Sequence, residues 1–289
     1  MNRKRRLFLL FAFALLAGGA LIAQRSQRGR QAEVGGDPRS YQNSNDTPVW
    51  KNAPGFEKDV FTFVRILYNT GGRGGFPHPY GRQRWRTDWP DADLNMAYRL
   101  QQMTSLKTDP NGVIVRLSDP QLFRYPFIYI AEPGDIALDD KEVDALRRYL
   151  LGGGFLMFDD FWGEHEWESM AEEMERVFPD RQWVDLPRTH PIFHCVFDIP
   201  NDLNLQCPNV VLGTNSQYNG VTWEREDAQE VHIRALFDDK GRMMCIATHN
   251  TDNGDGWERE GENEYYFREF SEKKSYPLGI NIIFYVMTH

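Results

Sequence analysis

Residues 127–160, FIYIAEPGDIALDDKEVDALRRYLLGGGFLMFDD, carry a strand, a helix and a second strand in succession. Phe127-Ile128-Tyr129-Ile130 and residues 155–158 are short, continuous apolar runs, the pattern of strands buried on both faces. Between them, residues 138–151 place Val143, Leu146 and Leu150 on one face and open on Asp139, Asp140 and Glu142. Gly152, which suits a helix C′ position, follows. Two buried strands joined by an amphipathic helix make a parallel crossover unit.

Outward from this unit the alternation continues. Residues 60–67, rich in β-branched and aromatic side chains, read as the first strand. A helix over 91–105 with Met96, Leu100 and Met103 on one face comes next, then a strand over 113–115. Residues 166–178 form a helix presenting Met170, Met174, Val177 and Phe178. Residues 232–237 and 242–247, joined by Asp238-Asp239-Lys240-Gly241, read as a β-hairpin, and 278–287 as a helix packed on the sheet. The expected fold is α/β: a three-layer, mainly parallel, flavodoxin-like sheet with an added β-hairpin, preceded by an N-terminal apolar segment. In such sheets ligands sit beyond the carboxyl ends of the strands, here the loops after Leu67, Ile130 and Phe158.

The 289 residues hold 33 basic and 42 acidic side chains, a formal net charge of −9. Seven basic groups and no acid lie in residues 1–30, leaving 26 basic against 42 acidic groups in the rest, a net of −16. A body that acidic repels phosphate backbones, which excludes general nucleic-acid binding. Arg3, Lys4, Arg5 and Arg6 precede the apolar run 7–23, the layout of an export signal. At about 1.5 Å per residue the run spans about 25 Å against a bilayer core of about 30 Å, so a cleaved signal peptide and a retained membrane anchor both fit. Arg5-Arg6-Leu7-Phe8-Leu9 also fits a twin-arginine signal. Residues 24–55 read as a flexible linker and 56–289 as the folded domain. The expected location is the cell envelope, on the periplasmic or extracytoplasmic face, with the chain anchored in the inner membrane or secreted. Cys195, Cys207 and Cys245 read as small buried apolar groups, Cys195–Cys207 being the pairing an oxidising compartment would permit.

Three segments together resemble the bacterial domain-of-unknown-function family numbered 4159. They are Trp85-x-x-Asp88-Trp89-Pro90-x-Ala92-Asp93-x-Asn95, Gly153-Gly154-Phe155-Leu156-Met157-Phe158-Asp159-Asp160-Phe161 and Tyr276-Pro277-Leu278-Gly279-Ile280-Asn281. The resemblance covers most of residues 58–289. It implies a fold similar to class I glutamine amidotransferases and assigns no reaction. More distantly, residues 128–160 look like the unit that carries the nucleophile elbow in the amidotransferase-like superfamily, where a Cys activated by a His would follow the strand. Here the strand runs into Phe158-Asp159-Asp160-Phe161, with neither Cys nor Ser at the turn.

Asp159, Asp160, Glu164 and His165 follow a central strand, and carboxylates with an imidazole can ligate a divalent cation or supply a general base. Asp160 or Glu164 would alternatively cap the next helix. Asp88, Asp91 and Asp93 flank Pro90 at a helix start, where acids satisfy free N–H groups. Facing the strand ends, Asp88 would join the chemistry. The candidate catalytic set is therefore Asp88, Asp159, Asp160 and His165, and the candidate metal set Asp159, Asp160, Glu164 and His165. Gly71-Gly72-Arg73-Gly74-Gly75 leads into Arg82, Arg84 and Arg86 beside Tyr80, Trp85 and Trp89. This stretch fits neither the dinucleotide nor the P-loop pattern and reads as a grip for a carboxylate, phosphate or acidic glycan through Arg73, Arg82, Arg84, Trp85 and Arg86. Residues 250–256 with Glu262 fail the EF-hand template, because Thr251 falls on its first ligand position, and read as a Gly/Asp-rich loop. His190 and His194, in a strand-like stretch, read as core or hydrogen-bonding residues.

With no nucleophile at the elbow, the expected function is a non-catalytic binding or accessory module of the bacterial envelope. It would be membrane-tethered and would recognise an envelope protein or a small anionic ligand. The alternative is an envelope hydrolase, metal-assisted or acid/base, working through the carboxylates with a divalent cation.

Overall fold

In the computed structural model the described residues are 38–40, 47–55, 59–71 and 83–289. The expected signal or anchor over residues 1–23, and Arg73 and Arg82, lie outside them. In chain order the strands are β1 (Val64–Ile66), β2 (Asn69–Thr70), β3 (Val113–Val115), β4 (Phe127–Ala131), β5 (Ile136–Ala137), β6 (Phe155–Phe161), β7 (Val184–Asp185), β8 (His232–Phe237) and β9 (Met243–His249). The helices are α1 (Asp91–Met103), α2 (Asp140–Leu151), α3 (Gly163–Val177), α4 (Val210–Asn219), α5 (Asn253–Glu258) and α6 (Glu264–Tyr266). A π-helical segment (Phe267–Ser275) then runs into α7 (Tyr276–Thr288). No helix among the described residues is long and apolar enough to cross a membrane.

The sheet runs β3-β1-β4-β6-β9-β8-β7. Its first five strands are mutually parallel and β8 and β7 are antiparallel additions. Counted among themselves, the parallel strands follow the order 2-1-3-4-5 of flavodoxin-like sheets. Side chains alternate between the faces of a strand. Phe127, Tyr129, Phe155, Met157 and Ile246 join one cluster with Met96 and Leu100 of α1 and Leu278 and Ile282 of α7. The intervening Ile128, Ile130, Leu156 and Phe158 are equally buried on the opposite face. That face is covered by the apolar sides of α2 and α3, where Val143, Leu146, Leu150, Met170 and Met174 are buried.

Local chemistry accounts for the boundaries. Asp139 and Glu142 form a reciprocal capping box at the start of α2: Glu142 N donates to Asp139 Oδ1 (2.9 Å) and Asp139 N to Glu142 Oε2 (3.1 Å). At its end Gly152 keeps φ at −78°, and it is Gly153, at φ 108°, that takes the conformation expected of Gly152. Helix α3 begins at Gly163 rather than Glu166, and neither Asp160 nor Glu164 caps it. Asn250 Oδ1 accepts from Gly163 N (2.8 Å), Asp227 Oδ2 from Glu164 N (3.1 Å) and Glu166 Oε2 from Trp162 N (2.9 Å). The β8–β9 hairpin turns on Asp238, whose Oδ1 accepts from Lys240 N and Arg242 N, both at 2.9 Å.

The expectation of a strand-like stretch around His190 needs correction. The stretch around His190 is a 3-10 turn (Pro191–Phe193), opened by the His190 ring accepting from Ile192 N. All three cysteines are free, Cys207 and Cys245 buried and Cys195 half-buried. The described parts of the expected linker lie against the domain: Arg39 donates to Pro110 O (2.7 Å), and Trp50 Nε1 and Asn52 Nδ2 donate to Thr108 O (2.9 and 3.0 Å).

Candidate metal centre

The three central strands each leave the sheet through a non-glycine residue in the left-handed region: Glu132 (φ 47°) after β4, Asp160 (φ 58°) near the end of β6 and Asn250 (φ 62°) after β9. Asp88 (φ 62°), just ahead of α1, is a fourth. Such positions cost about 1–3 kcal/mol each and persist only where the surroundings over-determine them, typically at functional sites.

The surroundings here are polar and dense. Arg65 of β1 is fully buried and donates to Trp85 O (3.0 Å) and Thr87 O (2.7 Å) while pairing with Asp93 at 2.6 Å. It thereby pins the segment that carries Asp88. Thr87 Oγ1 donates to Glu132 Oε1 (2.8 Å). Asp159, also fully buried, accepts four hydrogen bonds. Thr248 Oγ1 and Asn253 Nδ2 (2.7 Å) reach its Oδ1; Tyr129 OH and Gly254 N, both at 2.9 Å, reach its Oδ2. Its role is to moor the first turn of α5 to the sheet. Asp252, the N-cap of α5, accepts from Asp255 N (2.6 Å).

Together these anchors converge three carboxylates. One oxygen from each of Asp88, Asp160 and Asp252 lies within 4.8 Å of those of the other two, and the residues are only 4%, 7% and 4% exposed. Asp160 Oδ1 accepts from Trp162 Nε1 (3.2 Å), whereas Asp88 Oδ2 is buried with no hydrogen-bond partner among the described residues. None of the three forms an ion pair there either; the neighbouring cations are committed elsewhere, Arg65 to Asp93, and Arg84 to Glu132 (3.6 Å) and Glu166 (3.4 Å). Burial therefore pushes all three carboxyls well above the usual carboxylate range. Glu258 and Asp255 add to this at Asp88, Glu132 and Asp88 at Asp160, and Asp160 and Asp88 at Asp252. Unpaired buried carboxylates are costly until a proton or a cation neutralises them. An all-oxygen, anionic ligand set suits hard divalent ions such as Mg²⁺, Ca²⁺ or Mn²⁺.

The sequence-derived candidates divide. Asp88 and Asp160 sit in this centre, and Asp159 adjoins it as a hydrogen-bonded anchor. Glu164 and His165 are exposed in the first turn of α3, outside the carboxylate group. Their neighbour Glu166 points inward, pairing with Arg84 and with Arg225 (2.5 Å). Arg84 and Trp85 are buried, and Arg86 lies 5.5 Å over the Trp89 ring, so Arg84 serves internal carboxylates rather than standing open to a ligand. Asp252 and Asp255 belonged to the stretch read as a loop; the sequence signal available was the alternation of Asp with Gly, which no contiguous metal template matched.

Gly254 supplies a direct probe of the Asp88 oxygen. A Cβ at this position would run into Asp88 Oδ2, while its backbone stays outside the left-handed region that an L-residue avoids. Gly254→Ala is therefore expected to weaken cation binding at least tenfold by calorimetric titration, and the overpacking of about 1–3 kcal/mol to lower the melting temperature by about 2–12 °C.

No curated protein matches the chain. A family model described as Domain of unknown function (DUF4159) matches residues 63–287, which takes in all three carboxylates and every strand of the sheet, and the chain belongs to that family.

Proposed function

We propose that this protein is an exported, membrane-tethered binding module of the bacterial envelope whose Asp88–Asp160–Asp252 centre holds a hard divalent cation and, through it, an anionic ligand. The observation that carries the reading is the convergence of Asp88, Asp160 and Asp252, one carboxylate oxygen of each within 4.8 Å of the others, with Asp88 Oδ2 buried and without a hydrogen-bond partner among the described residues. Placement of the centre at the carboxyl ends of β6 and β9 supports it, since ligands of open α/β sheets bind there. The basic start and apolar run of residues 1–23 support export and tethering. The 2-1-3-4-5 strand order supports kinship with the amidotransferase-like superfamily.

A second reading, a cation-assisted envelope hydrolase, is favoured by one observation. Asp160 takes a left-handed backbone at the end of the central strand β6, beside the position where that superfamily carries its nucleophile. The two readings differ in turnover: a binding module loaded with cation leaves phosphate-ester, amide and glycoside panels untouched, and a hydrolase does not.

The test common to both is thermal unfolding of the chelated full chain with Mg²⁺, Ca²⁺ or Mn²⁺ restored. An ion at about a hundred times its dissociation constant adds about 2.7 kcal/mol, or about 5–10 °C for a domain of this size. A selective shift that is lost in Asp252→Asn is the expected result. No shift with any of the three ions overturns the reading.

A further inference from the structure

Asp88 belongs to two carboxylate groups at once. With Asp160 and Asp252 it forms the centre above; with Asp255 and Glu258 it forms a second triad whose oxygens also lie within 4.8 Å of one another. A carboxylate shared between two such triads is the layout of a dinuclear site, in which two ions stand about 3.5–4 Å apart. The two halves differ in one respect. Arg259 already stands in the second: its Nε lies 3.2 Å from Asp255 Oδ1 and 2.7 Å from Glu258 Oε2, and its Nη1 lies 2.9 Å from Glu262. Asp255 Oδ2 is further occupied by Val210 N. The first half has no cationic side chain in ion-pair contact among the described residues, and the Asp88 it shares with the second is 4% exposed with its Oδ2 unpartnered among them.

We infer that the centre is a dinuclear site reduced to one ion, with the Arg259 guanidinium standing as the resident cation where the second ion would go. The inference rests on the cation reading of the same centre and adds its stoichiometry. The physical reason is electrostatic: a guanidinium between Asp255 and Glu258 neutralises the second triad and repels an incoming divalent ion. Short helix α5 sets this up, because Arg259 at its C-cap lies one turn from Asp255 and adjacent to Glu258.

The experiment is Mn²⁺ titration of the full chain, counted by equilibrium dialysis and read by electron paramagnetic resonance. Wild type is expected to take one equivalent with an uncoupled, mononuclear signal. Arg259→Met is expected to take two, with the spin coupling of a carboxylate-bridged pair, and Arg259→Lys to stay at one. Glu258→Gln in the wild-type background serves as the check should Arg259→Met fold poorly. It is expected to leave one ion bound within about threefold of wild-type affinity, because Glu258 serves Arg259 and not the ion. Two equivalents in wild type, one in a folded Arg259→Met, or loss of the ion in Glu258→Gln overturns the inference while sparing the cation reading. No Mn²⁺ in wild type overturns both.

Discussion

Asp160→Asn is expected to raise the melting temperature of the chelated chain at pH 8 and to erase the shift expected from divalent ions. Both effects follow from one fact: three buried carboxylates face one another without a cationic partner among the described residues. The substitution keeps the shape and the acceptor for Trp162 Nε1 but removes one charge from the group. Relief of an uncompensated buried charge is worth about 1–3 kcal/mol, which at about 2–4 °C per kcal/mol gives a rise of about 2–12 °C. The pH dependence has a definite sign. Burial and mutual repulsion hold Asp88, Asp160 and Asp252 above the ordinary carboxylate value near 4. The folded chain therefore keeps protons that the unfolded chain has released, and stability falls as pH rises from the unfolded value near 4 through the raised folded-state values. Asn at position 160 flattens that fall, and a saturating cation does the same in wild type by displacing the protons. Melts across pH, with and without chelator, check all three statements. A lower melting temperature for Asp160→Asn at pH 8 with an unchanged pH slope would contradict them.

The adjacent substitution has the opposite effect. Asp159→Ala removes the acceptor of four donors, from Tyr129, Thr248, Asn253 and Gly254, in a fully buried setting. Each buried donor left without an acceptor costs about 1–3 kcal/mol, and a total loss of about 3–5 kcal/mol corresponds to a fall of about 6–20 °C in melting temperature. The first turn of α5 would lose its mooring to β6, and with it the placement of Asp252 and Gly254 against Asp88. Asp159→Ala is thus expected both to destabilise and to weaken cation binding. Asp159→Asn, which keeps two acceptor lone pairs, lies between. Denaturant unfolding of the three proteins checks the order; a loss below about 1 kcal/mol for Asp159→Ala would show that Asp159 does not hold the network.

Two neighbouring aspartates with opposite effects mark where sequence patterning stops. The five parallel strands and the β8–β9 hairpin were legible because apolar runs and turn residues are local signals, and those strand ends pointed to Asp159 and Asp160. Which of the two anchors and which faces the centre depends on the left-handed turn at Asp160, a tertiary property. His165 and Glu164 looked like ligands because they follow the same strand. Helix α3 starts three residues earlier than its apolar pattern, turning both outward and Glu166 inward. Helix α5 was hidden by its glycines. Gly254 and Gly256 read against a helix, yet a Cβ at either would strike Asp88 or Ser275. Close packing demands them there. Asp252 escaped for a further reason: the three carboxylates come from separate loops, so their spacing along the chain carries no signature.

The most direct measurement is an anomalous difference map from crystals of the protein grown with Mn²⁺. The account predicts a peak about 2.0–2.6 Å from carboxylate oxygens of Asp88, Asp160 and Asp252, at the carboxyl ends of β6 and β9. A map with no peak among those three residues, or with its ion held by Glu164 and His165 on the surface of α3, would contradict it.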